Sequence, residues 1–298
     1  MQAMTASRRD LALVVIASLA FATASPLGKV SSSIPAVTVA CARTGIAALV
    51  LAFIARRSLG TIAALNNRQR AGVALAGALL AGHFALFLAG LGTTSLAAAV
   101  SLVSLEPIAV VLAAFVAFRI RPTARELVGL FVATFGAVVV GSSAGQGEHR
   151  LAGDLLVLGA VVLYGAYVAA ARGLRDALPP LPYAVAVYTI ASLVLLPVAI
   201  PLAMRAASPS NGALGAVVAL GLIPTAIGHS LVQTTARRAS PALVALVAPG
   251  ETLGSIAIGA FVMGTPPTIN EGIGAAIILA GATLVALTYS SESRRSSL

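Results

Sequence analysis

Two glutamates stand 145 positions apart in apolar sequence: Glu106 in Ser104-Leu105-Glu106-Pro107 and Glu251 in Pro249-Gly250-Glu251-Thr252. The chain has only nine acidic residues. A carboxyl at membrane depth is costly and normally faces a cavity or a partner. Each follows a serine, Ser95 or Ser240, by eleven residues. At about 1.5 Å per helical residue that is roughly 16 Å, near the bilayer centre. Arg43 is a third charge inside an apolar run, too central to snorkel easily. It suits an anionic group or a midplane carboxylate. Gly82-His83 and Gly228-His229 add one imidazole to each half, one residue off the same shift.

Such a set could hold a small zwitterion, and a desolvated carboxyl could take up a proton and couple movement to it. The plainer readings stay open. Glu106 and Glu251 could be protonated and bonded to backbone at helix breaks beside Pro107 and Pro249-Gly250. The histidines could be satisfied core residues. Tyr164, Gln233, Tyr167, Phe84 and Phe87 could line a cavity or simply pack. His149 reads as a solvated loop residue and Cys41 as core filler, since one cysteine allows no internal disulfide. No catalytic triad, phosphate loop, dinucleotide fingerprint or metal-spaced cluster is present. An enzyme, a metal site and a cofactor are therefore not expected.

The elements that hold these residues follow from composition. Hydrophobic residues make up 59% of the chain and charged residues 9%, and mean hydropathy is +1.00. Soluble domains carry about 25% charged residues, so this is an integral membrane protein. The net charge of +10 does not require nucleic acid, because cytoplasmic loops of membrane proteins collect Lys and Arg. Apolar runs fall at 11–24, 34–54, 71–91, 95–118, 126–141, 153–171, 183–204, 213–235, 240–263 and 269–289. None alternates as a barrel strand would, so ten helices are expected. The first run ends near Pro26. Its Ala22-Thr23-Ala24 resembles a signal-peptide cleavage site, but its echo in the second half assigns it to the fold.

That echo is general. Shifting 95–140 by 145 places Glu106 on Glu251, Pro122-Thr123 on Pro267-Thr268, Glu126 on Glu271, Gly129 on Gly274 and Gly136 on Gly281. Asp10-Leu11 and Phe21 echo Asp154-Leu155 and Tyr164. The chain reads as two units, 1–145 and 146–298, of five helices each. An odd number inverts the second unit, a device of transporters that rock around a midplane site. Thr123-x-x-Glu126 and Thr268-x-x-Glu271 are capping boxes that start helices. With a cytoplasmic N-terminus, fifteen of the nineteen basic residues fall in cytoplasmic segments. Lys29, Arg150 and Arg205 fall outside, and Arg43 lies within a helix.

Thr94-Ser95-Leu96-Ala97-Ala98-Ala99 through Glu106-Pro107, then Pro122-Thr123 and Gly136, resembles the EamA module of the drug/metabolite transporter superfamily. The second half matches through Pro224-Thr225-Ala226-Ile227-Gly228-His229, Ala239-Ser240-Pro241-Ala242, Glu251 and Gly281. The resemblance implies a ten-helix, five-plus-five inverted-repeat transporter of the inner membrane, moving amino acids, other metabolites or drugs, often outward. It implies a cavity lined by helices 1, 3, 4, 6, 8 and 9, on which His83, Glu106, Tyr164, His229, Gln233 and Glu251 lie. Where the family often has Gly-Glu after its fourth and ninth helices, this chain has Arg119-Ile120-Arg121 and Met263-Gly264-Thr265.

The expected function is export of an amino acid or similar metabolite by alternating access, with a small-molecule substrate, protons and the lipid bilayer as partners and no nucleic acid. The alternatives are drug efflux or metabolite uptake by the same fold, and a non-transporting scaffold or receptor subunit with a packed midplane. Reporter fusions at the two chain ends are expected to place both in the cytoplasm. Ends on opposite sides would break the odd-numbered repeat.

Overall fold

The structure, a computed structural model, describes residues 8–94, 99, 102–142, 150–261 and 269–295. Ser95, His149, Pro267 and Thr268 lie outside the described residues. Every described element is helical: α1 Arg8–Phe21, α2 Ala24–Val30, α3 Ala36–Ala55, α4 Gly60–Ala63, α5 Asn67–Leu91, α6 Glu106–Phe118 and α7 Ala124–Ser142 in the first half. The second half has α8 Leu151–Gly173, α9 Pro180–Arg205, α10 Asn211–Leu220, a π-helical stretch Gly221–His229, α11 Ser230–Ala236, α12 Pro241–Ala245, α13 Val247–Phe261 and α14 Ile269–Arg295.

Six helical segments among the described residues are long and apolar enough to cross a membrane: Arg9–Val30, Ala36–Ala55, Asn67–Leu91, Leu151–Gly173, Pro180–Arg205 and Asn211–Ala236. Shorter apolar helices span Glu106–Phe118, Pro241–Gly254 and Gly272–Val285. Large apolar side chains such as Leu49, Phe53, Phe131 and Met204 are exposed. Hydrocarbon rather than water suits such a surface, and the chain is a multi-pass membrane protein.

Local chemistry sets the helix ends. Thr123 and Glu126 form the expected capping box. The Thr123 N–H donates to Glu126 Oε2 at 2.7 Å, and the Glu126 N–H donates to Thr123 Oγ1 at 3.2 Å. Asn66 and Gln69 cap α5 in the same way. The first run does not stop near Pro26: α2 continues to Val30. Pro26 sits in the first turn of α2, where its missing N–H leaves no bond unmade. Likewise, the break near Glu251 falls at Leu246, between α12 and α13, and not at Pro249-Gly250. Pro249 is again in a first turn. Glu106-Pro107 does sit at a break, at the start of α6.

The two halves pack by exchange. α3 lies along α9, and α7 along α14. α5 and α6 pack on α8, while the π-helical stretch and α13 pack on α1. Each half thus gives its first long helix to the other's bundle. One bundle holds α1, α2, the π-helical stretch and α13; the other holds α5, α6 and α8. The paired helices run antiparallel. Thr38 Oγ1 donates to the Ala199 carbonyl and Cys41 Sγ to the Ser192 carbonyl, so partner numbers fall as the chain advances. In the other pair Gly136 abuts Gly274, and Gly129 abuts Gly281. The four glycines that recur between the halves thus form one seam, where small residues let backbones approach.

A Cβ at Gly281 would stand 2.4 Å from Ala133 N and 2.5 Å from Gly129 O. Gly281→Leu is therefore expected to destabilise by at least the roughly 1–3 kcal/mol of overpacking, read as a lower melting temperature in detergent. Arg119, the C-cap of α6, holds φ 56°, a left-handed conformation that suits glycine. Arg119→Gly is expected to raise stability by about 1 kcal/mol. An unchanged or lower melting temperature would contradict that.

Candidate functional site

Arg43 emerges from the middle of α3 and is 2% exposed. Its Nε donates to Thr225 Oγ1 at 2.8 Å, and its Cζ lies 3.9 Å from the centroid of Phe84. Thr225 is available because of Pro224. In an α-helix the Leu220 carbonyl would accept from residue 224, but proline has no N–H. The Thr225 hydroxyl takes that place, donating to Leu220 O at 2.6 Å. The backbone opens here into the π-helical stretch, a form common at functional sites. Tyr188 braces it, its hydroxyl 3.2 Å from the Thr225 carbonyl and 3.0 Å from Ser230 Oγ.

Arg43, His83, Glu106, His229 and Glu251 line one cavity of about 30 Å³, with Phe21, Phe84 and Phe87 among its walls. That volume holds a water or two and no amino acid. Five of the seven residues singled out from sequence therefore meet. Tyr164 joins through its ring, 5.1 Å from His83 and 6.0 Å from His229. Gln233 is buried one turn beyond His229, and both its amide atoms are without partners among the described residues. An unpaired buried polar atom costs about 1–3 kcal/mol. His229 Nδ1 is unpaired in the same way.

The two histidines differ in setting. His83 Nδ1 lies 3.0 Å from the Ala160 carbonyl. A carbonyl only accepts, so Nδ1 carries the proton and Nε2 is left for another partner. His229 is held by ring contacts, 4.6 Å from Phe21 and 4.8 Å from Phe84. Phe21 comes that close because residue 228 is glycine; a Cβ there would lie 2.5 Å from its ring. Two carboxyls, a guanidinium and two imidazoles thus converge where the two bundles meet. Phe21, Thr225 and Tyr188 carried no signal as site residues beyond the Pro224-Thr225 pair inside an apolar run.

The two ends of the bundle are unlike. At one end a vestibule of about 990 Å³ opens between Gly28–Ala36 and Leu88–Thr94, with Lys29 and Arg150 on its wall. Its linings Gly28 and Val39 lie one helical turn, about 6 Å, from Ala24 and Arg43 of the central cavity. The arginine-rich end is bridged by polar contacts, beside a hollow of about 400 Å³ lined by Pro179, Pro180, Arg237 and Arg238. Arg172 donates to the Ala239 carbonyl, and Arg237 to the carbonyls of Leu178 and Arg175. Arg238 pairs with Asp10 at 2.6 Å, and Ser240 Oγ donates to Glu126 Oε1 at 3.0 Å.

The profile of the EamA-like transporter family matches residues 9–142 and again 151–287. No curated protein matches the chain. A solved structure described as "Crystal structure of protein" is similar, with a TM-score of 0.76 at 18% identity over 95% of this chain and 100% of that one. At that identity the likeness shows the fold alone. Two family matches that together span nearly the whole sequence leave one conclusion: the chain belongs to the EamA-like transporter family.

Proposed function

We propose that the protein is an inner-membrane secondary transporter that exports a small zwitterionic metabolite, an amino acid foremost, by alternating access. The observation that carries this reading is Arg43 sharing one cavity with Glu106 and Glu251 where the bundles meet. A guanidinium recognises a carboxylate by paired hydrogen bonds, and a carboxylate receives an ammonium. Arg43 Nε is committed to Thr225, and its terminal nitrogens have no protein acceptor among the described residues, so they are the atoms for a solute carboxylate. His83 Nε2 and the glutamates supply groups that can take and release protons.

The chain would place ten helices in the bilayer as two inverted units, 1–145 and 146–298, with both ends in the cytoplasm. The antiparallel α3–α9 and α7–α14 pairs support that inversion. A vestibule that ends one turn from a polar cavity favours transport over a packed scaffold.

Flux of labelled amino acids in proteoliposomes, with and without a pH gradient, tests the reading. Transport of a zwitterionic amino acid, faster with the gradient, is expected. Arg43→Gln is expected to reduce it at least about tenfold, the loss of a charged hydrogen bond. Glu106→Gln is expected to abolish the response to the gradient. Parental flux in Glu106→Gln and His83→Ala together would remove both residues from the site.

A further inference from the structure

We propose that Lys29 is the gate residue of the vestibule end, the counterpart of Arg172 at the arginine-rich end, and that transport trades one contact for the other. The inference rests on the alternating-access reading above. The shift of 143 that carries Phe21 onto Tyr164 also carries Lys29 onto Arg172. The shift of 145 that carries Glu106 onto Glu251 also carries Thr94 onto Ala239. At the arginine-rich end Arg172, on α8, donates to the Ala239 carbonyl, between α11 and α12. Ala239 lies just past α11, which continues the π-helical stretch of the α1 bundle in one span, so that bond ties the bundle of α8 to the bundle of α1. At the open end Lys29, on α2, and Thr94, just after α5, line the same vestibule. They belong to the same two bundles with the roles exchanged.

Because the repeated halves run antiparallel, equivalent contacts sit at opposite ends. Two bundles that rock about a central site open one end as they close the other. Exchanging the halves therefore converts the state seen here into its alternate. In that state the Lys29 ammonium donates to the Thr94 carbonyl, and Arg172 releases Ala239. Lysine suits a contact that must form and break, with three donors on a flexible stem. Two other bonds act within the bundles: Asp10–Arg238 joins α1 to the end of α11, and Thr94–Asp154 joins the end of α5 to α8 at 2.8 Å. The two aspartates are themselves repeat partners, so each bundle carries its own staple, while the Arg172 bond, with those of Arg237 to the Arg175 and Leu178 carbonyls beside it, crosses between bundles.

The test is labelling with a membrane-impermeant maleimide in sealed vesicles of both orientations, with no solute added. Cys41 is replaced by Ser, and one cysteine is placed at Ser32 in the vestibule or at Ala242, buried in α12. Lys29→Gln is expected to raise the ratio of Ser32→Cys to Ala242→Cys labelling by about tenfold, as one state loses a hydrogen bond to a charged group. Arg172→Gln is expected to lower it by a similar factor. Lys29→Arg and Arg172→Lys, which keep a charged donor, are expected to label as the parent does. Where Lys29→Gln is not recovered folded, Lys29→Met reads the same contact. An unchanged ratio in Lys29→Gln, or a shift in the same direction as Arg172→Gln, would overturn the proposal. Because no solute is present, a failed flux assay would not produce either result.

Discussion

A guanidinium enclosed in the middle of a hydrocarbon-embedded bundle is the constraint that the rest of this structure serves. Isolated, such a charge would cost several kcal/mol even after relaxation. Arg43 is sustained by a hydroxyl on one side and an aromatic face on the other, Thr225 and Phe84. Desolvated cation–π contacts contribute about 2 kcal/mol, and a hydrogen bond to a charged group about as much. Thr225 sits in the turn that Pro224 opens, its hydroxyl donating to the Leu220 carbonyl, and Tyr188 and Ser230 hold that turn. The helix irregularity and the buried charge are therefore one device.

The second governing feature is the exchange between the halves. α1 belongs to a bundle built mainly from the second half, and α8 to one built mainly from the first. The central cavity is consequently lined from both halves, with Arg43, His83 and Glu106 from one and His229 and Glu251 from the other. Nothing in either half alone would assemble the site. The glycine seam of α7 and α14 and the polar contacts of α3 with α9 hold the halves together away from the cavity. Alternation between two end states then needs only the cross-bundle contacts to change.

Much of this was legible in the chain because charges are so scarce in it. Glu106, Glu251, Arg43, His83 and His229 each stood out against apolar sequence, and all five line the cavity. The capping box at Thr123 and Glu126 was legible because it is local chemistry of four residues. The recurring glycines were visible as a pattern, but that they meet one another is a fact of antiparallel packing that no spacing reveals. Thr225, Tyr188 and Phe21 were not legible, because an ordinary threonine, tyrosine or phenylalanine gains its role only from what lies opposite. The break near Glu251 was misplaced by three residues, since proline in a first helical turn is permitted and so does not mark the break. Gln233, named from sequence, is buried one turn from His229 with an unsatisfied amide.

The account stands on Arg43 as the receptor for a solute carboxylate. The direct measurement is solute-induced thermal stabilisation of the purified protein, comparing an amino acid with the amine that lacks its carboxyl, in the parent and in Arg43→Lys. The account predicts that the amino acid stabilises the parent, that the amine does not, and that Arg43→Lys loses most of the shift because an ammonium cannot make the paired contact. Equal stabilisation by the amine, or an undiminished shift in Arg43→Lys, would contradict it.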